Sequence, residues 1–157
     1  MAATVDIRRA ADRAATKIDW LDSKHSFSFG HHYEPNNTHH GLLLVNNDDI
    51  VKPGTGFDTH PHRDMEIVTW VLQGSLVHQD STGNSGVIYP GGLAQRMSAG
   101  RGGILHSEKN DSWRLTGNES TVSQYISSKC GLFPTNPVST RDTSSWRSTT
   151  SCCAVDW

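Results

Sequence analysis

What this sequence lacks narrows its function before any motif is read. No apolar run approaches the roughly 20 residues that span a bilayer, so no membrane role is expected. Charge is nearly balanced: 14 Lys and Arg against 16 Asp and Glu give a formal net charge of −2. Such a surface has no electrostatic reason to hold nucleic acid or anionic lipid. The opening MAATVDIRRAADRAATKIDW has no apolar stretch of the secretory kind, and Asp6 and Asp12 argue against an organelle presequence. Cysteine is scarce and late: Cys130, Cys152 and Cys153 form no disulfide framework. Together these absences point to a cytoplasmic protein. Nucleophilic catalysis also has no candidate, because no serine is paired with a base. Gly54-Thr-Gly56 and Gly100-Arg-Gly102-Gly103 lack the helix start or Lys-Ser/Thr of a phosphate loop and read as turns.

What is present is a β-rich text of one-domain size. Residues 25–29 (HSFSF) alternate with period two, as a half-buried strand does. Residues 41–45 (GLLLV) read as a strand that ends in a turn at Asn46-Asn-Asp-Asp49. Residues 66–72 (EIVTWVL) are β-branched and aromatic, and Gln73-Gly-Ser75 turns them into 76–79 (LVHQ). Breaks at Thr82-Gly-Asn84 and Pro90-Gly-Gly92 separate 86–89 (GVIY) from 93–97 (LAQRM). Short strands at this spacing predict a sandwich or barrel rather than a βαβ fold. A helix is expected only near residues 6–15.

The chemistry lies in the histidines. In GFDTHPHRDMEIVTW, His60 and His62 stand at i and i+2, so on an extended strand they share a face. Pro61 between them has no N–H, which favours an edge or a strand start. Another pair of the same spacing, His106 and Glu108, lies 44 residues beyond His62. If the two strands are neighbours, three imidazoles and a carboxylate meet, a set that suits Fe(II), Ni, Cu, Mn or Zn. Glu66 is a competing carboxylate, four residues beyond His62; its alternative is to orient a histidine N–H. Spacing alone does not choose between Glu66 and Glu108. His31, His32, His39 and His40 read as loop residues. His78 reads as a polar strand position, and His25 as a surface residue or a support to the site. Phe57, Val68, Trp70 and Met97 are candidate inward walls.

Gly54, five residues, His60-x-His62, three residues, Glu66, seven residues and Gly74 resemble the first cupin motif. Residues 20–29 (WLDSKHSFSF), 59–66 (THPHRDME) and 96–100 (RMSAG), with His106-Ser-Glu108, are more specifically similar to the bacterial members of the pirin family. The resemblance covers residues 5–118. It implies a mainly β, cupin-type barrel or jelly roll holding one divalent transition metal. Iron is the expected ion, with Ni, Cu, Mn or Zn as alternatives. It carries the family's ligands onto His60, His62, His106 and Glu108, makes Glu108 the catalytic base, and leaves Glu66 outside the ligand set. It further implies flavonol-like substrates: several members open the heterocycle of quercetin with O₂ and release carbon monoxide, which would make the chain a quercetin 2,3-dioxygenase. The family also includes a nuclear co-regulator, so the alternative is a metal-dependent binding module with a protein partner. The Gly102-Gly103 doublet makes the segment before His106 one residue longer than usual.

Residues 119–157 differ in character, with 15 Ser or Thr in 39 residues and all three cysteines. They read as an irregular tail. Nothing there resembles the second barrel of the family, and Trp146 and Trp157 are unusual in such a text. The expectation is that this segment comes from a coding sequence read in a shifted frame.

Overall fold

The computed structural model describes residues 5–91, 93–111, 125–132 and 142–147. Alternating side chains become strands wherever one parity can be buried. These are β1 (Ala14–Lys17), β2 (Leu21–His25), β3 (Leu43–Val51), β4 (Gly56–His62), β5 (Glu66–Gln73), β6 (Leu76–Asp80), β7 (Ser85–Ile88), β8 (Leu93–Ser98), β9 (Ile104–Asn110), β10 (Tyr125–Leu132) and β11 (Asp142–Arg147). Seven strands form one sheet in the order β1-β2-β3-β10-β5-β8-β11, and four form the other in the order β4-β9-β6-β7. Every pairing is antiparallel. Two antiparallel sheets facing each other make the chain a mainly β protein of jelly-roll type, although hydrogen bonding among the described residues does not close them into one barrel.

Apolar side chains from both sheets meet in two clusters. Leu21, Val51 and Val71 pack with Leu76 and Ile88, with Trp20 set edge-on against Phe57 beside them. Ile67, Met97, Ala99 and Ile104 form the other cluster. Burying a side chain of this size is worth roughly 1.5–3 kcal/mol, so the clusters hold the sheets face to face. Phe57 and Met97 thus line the interior as expected. Val68 and Trp70 do not, because the buried parity of β5 is Ile67, Thr69 and Val71.

Three expectations fail locally. Residues 6–15 hold one 3₁₀ turn, Ala10–Asp12, followed by β1 instead of a helix. β2 ends at His25, and the chain leaves the sheet there rather than continuing to Phe29. The presumed turn at residues 46–49 lies inside β3. The reason for the last is polar pairing in the interior: Ser23 donates to Asp49 Oδ1 at 2.5 Å, and His25 Nδ1 lies 2.9 Å from Asn47 Oδ1. His25 Nε2 also bonds Thr16 Oγ1 at 2.8 Å. His25 is therefore a buried, satisfied residue and not a surface one. Buried polar groups persist when hydrogen-bonded, so an Asn-Asn-Asp-Asp run can serve as strand.

Beyond Glu119, residues 125–132 and 142–147 are strands, and β10 sits between β3 and β5. The remainder of the expected tail, Trp157 included, lies outside the described residues.

Candidate metal centre

β4 and β9 are hydrogen-bonded neighbours, and their register sets His60 opposite His106 and His62 opposite Ile104. The register slips between Phe57 and His60, where β4 carries a bulge. A bulge inserts an odd residue and re-aims the side chains beyond it. Phe57 and His60, three positions apart, can therefore both serve the interior. Gly56 allows the close approach: a Cβ there would lie 2.2 Å from the Glu108 carbonyl oxygen, and its φ of +148° suits glycine. The turn before β9 is anchored by Asp64 N–H donating to the Gly100 carbonyl at 2.9 Å. The extra glycine of that turn is accommodated, with Gly103 at φ +69° against the His62 carbonyl.

The three rings converge. Centroid separations are 4.4 Å for His60–His106, 4.8 Å for His60–His62 and 4.9 Å for His62–His106. One ligand atom from each lies within 4.8 Å of the other two. The Asp58 carbonyl accepts a hydrogen bond from His60 Nδ1 at 2.7 Å. A carbonyl only accepts, so Nδ1 carries the proton and the Nε2 lone pair is left for a metal. His106 is 2% exposed, and neither of its ring nitrogens has a hydrogen-bond partner among the described residues. Burial pushes its pKa down to about 3, against the pull of the Glu108 carboxylate. Proton repulsion from His60, His62 and His78 adds to the downward shift. At neutral pH His106 is therefore an uncharged imidazole, the form that ligates metals. The buried nitrogens of His106, unsatisfied among the described residues and set in a cluster of imidazoles, fit a divalent cation well.

Glu108 lies two residues along the same buried face of β9, 1% exposed, and accepts a hydrogen bond from Thr69 at 2.8 Å. Its closest histidine grouping is with His106 and His78, whose ligand atoms also fall within 4.8 Å of one another. The structure thus adds two residues to the neighbourhood. His78 on β6 stands opposite Glu108 in register, and Thr69 reaches across from the other sheet. His78 was legible only as a strand histidine; its spacing to Asp80, which its Nε2 meets at 3.3 Å, was the available signal. Glu66 is elsewhere. Its carboxylate takes hydrogen bonds from Arg96 Nε at 2.9 Å and Ser98 Oγ at 2.6 Å, and it orients no histidine in these contacts. His31, His32, His39 and His40 lie outside the strands, as expected.

A family model described as Pirin matches residues 7–125, which include all of these groups. The chain belongs to the pirin family. A Mycobacterium tuberculosis protein, provisionally named a quercetin 2,3-dioxygenase, is 78% identical to this pirin over 112 residues, covering 71% of the chain and 45% of the relative. A protein of Escherichia coli named quercetin 2,3-dioxygenase is 51% identical over 106 residues, covering 68% and 45%. The crystal structure of YhhW from Escherichia coli superposes with a TM-score of 0.79 at 40% identity, covering 92% of this chain and 57% of that one. The same bacterial pirin in complex with nickel(II) gives 0.77 at 41% identity, covering 89% and 56%. This pirin spans less than half the length of the curated relatives it matches. No helix among its described residues is long and apolar enough to cross a membrane.

Proposed function

We propose that this pirin is a metal-dependent oxidoreductase of the quercetin 2,3-dioxygenase type, acting on a flavonol-like substrate and O₂. His60, His62 and His106 would hold one divalent transition metal, iron in the first instance, with Glu108 as fourth ligand. The observation that carries this reading is the convergence of three imidazoles on β4 and β9, one of them buried with both nitrogens unsatisfied among the described residues. A bound metal would supply Lewis acidity toward the flavonol 3-oxygen.

The remaining work falls to the chain itself. Glu108, released from its place as fourth ligand, would take up the 3-hydroxyl proton, while Thr69 keeps the carboxylate oriented. The Asp58 carbonyl holds the His60 ring in one tautomer. Phe57, packed beside His60 at a centroid distance of 6.2 Å, gives an apolar wall for an aromatic substrate. The test is incubation of the iron-loaded protein with quercetin in air. Loss of the visible absorbance with release of carbon monoxide supports the reading; neither change argues against it.

A second reading, a metal-loaded binding module without turnover, has its own support. Glu108 is 1% exposed, so a substrate hydroxyl has little access to it in this conformation. Residues 5–118 are proposed as the pirin-like cupin unit, with β10 added to its large sheet from residues 119–157.

A further inference from the structure

His106 belongs to two groups of candidate ligands at once. Toward the half-exposed side stand His60 and His62; toward the buried side stand His78 and Glu108. Each group keeps its ligand atoms within 4.8 Å of one another. The buried group is the more enclosed, with His78 at 1%, His106 at 2% and Glu108 at 1% exposure. The His78 and His106 ring centroids are 5.3 Å apart. Register places them on adjacent strands, with His78 opposite Glu108 and Asp80 opposite His106. Asp80 meets His78 Nε2 at 3.3 Å and is itself tied into the following turn by Thr82 and Asn84. A carboxylate on one ring nitrogen is the usual support for an imidazole that ligates through the other.

We propose that the centre has two alternative cation positions sharing His106: an outer one with His60 and His62, and an inner one with His78 and Glu108. A neutral imidazole has one lone pair, on whichever nitrogen lacks the proton. Its tautomer is normally fixed by the hydrogen bond that the other nitrogen makes. Neither nitrogen of His106 makes such a bond among the described residues, so its lone pair is not committed to one side. The ring serves one position at a time. The outer set offers three imidazole nitrogens, and the Glu108 that the proposed function adds to them is, like His106, drawn on by one position at a time. The inner set offers two nitrogens and a carboxylate, which neutralises half of a divalent charge where water is scarce. Two imidazoles and a glutamate, with a water as fourth ligand, are a known zinc set.

Zinc(II) is accordingly the probe, in competition with a chromophoric chelator, on the full chain. The His60→Ala/His62→Ala double variant removes the outer position only, and both residues are half-buried, so folding should tolerate it. It is expected to keep one zinc per chain with affinity about 10- to 100-fold weaker than wild type, the range for a weakened metal site. Adding His78→Phe should abolish that residual binding, with circular dichroism verifying the fold. If His78→Phe does not fold, Glu108→Gln in the same background must give the same loss. A folded double variant that binds no zinc overturns the inner position and leaves the outer one standing. Residual binding that survives both additions overturns it too. A double variant as tight as wild type instead contradicts the outer reading of the proposed function.

Discussion

Thr69 on β5 donates its hydroxyl to Glu108 Oε1 on β9 at 2.8 Å, joining the two sheets through the proposed fourth metal ligand. Both residues are at most 2% exposed. A buried hydrogen bond to a charged acceptor contributes about 1.5–3 kcal/mol. Thr69→Val keeps the shape and removes the donor. It should lower the melting temperature by roughly 4–8 °C, taking about 2 kcal/mol at 2–4 °C per kcal/mol. A melting temperature within one degree of wild type, about 0.5 kcal/mol at most, would show that the hydroxyl does nothing.

Gly56 is where β4 passes closest to β9. A methyl group there would stand 2.2 Å from the Glu108 carbonyl oxygen and 2.8 Å from Lys109 Cα, both backbone. Nothing flexible can yield. Gly56→Ala should therefore cost on the order of 2–4 kcal/mol, in the range of overpacking with backbone strain, seen as a lower urea midpoint. Gly86→Ala, at an exposed position of β7 where an added Cβ meets no atom of the described residues within 4 Å, is the control and should move the midpoint little. Equal midpoints for the two variants would refute the close-approach explanation.

The candidate metal ligands were the most legible part of the sequence, and the reason is local. His-x-His and His-x-Glu each put two donors on one strand face, and the period-two rule needs no knowledge of the fold. His78 and Thr69 were not legible. They reach the centre only through cross-strand register and the gap between sheets, His78 standing 30 positions and Thr69 39 positions before Glu108. Burial decided the Asn46–Asp49 run in the same way. Its polarity reads as a turn until Ser23 and His25 are seen opposite. Glu66 shared parity with the histidines on paper, yet its partners Arg96 and Ser98 lie on the adjacent strand β8.

Glu66→Gln separates an ion-pair role from a ligand role. The Arg96 contact is partly exposed, so its loss should cost no more than about 1 kcal/mol. Nickel affinity, read by isothermal titration calorimetry, should stay within about twofold of wild type, or roughly 0.4 kcal/mol. A tenfold fall would put Glu66 back among the ligands.

β10 separates β3 from β5 in the large sheet and pairs with both. Ending the chain after Asn118 would leave two long strands with unpaired edges facing each other across a gap. Amide hydrogen exchange in β3 and β5 should then accelerate by orders of magnitude, approaching that of locally opened structure. Unchanged protection would mean that residues 119–157 contribute nothing to the sheet.

The most direct test of the central claim is a nickel(II) titration of metal-stripped wild type and His62→Ala. One ion per wild-type chain is expected, with an affinity at least 10-fold lower in the variant, about 1.4 kcal/mol. Equal affinities would mean that the three converging imidazoles do not hold the metal.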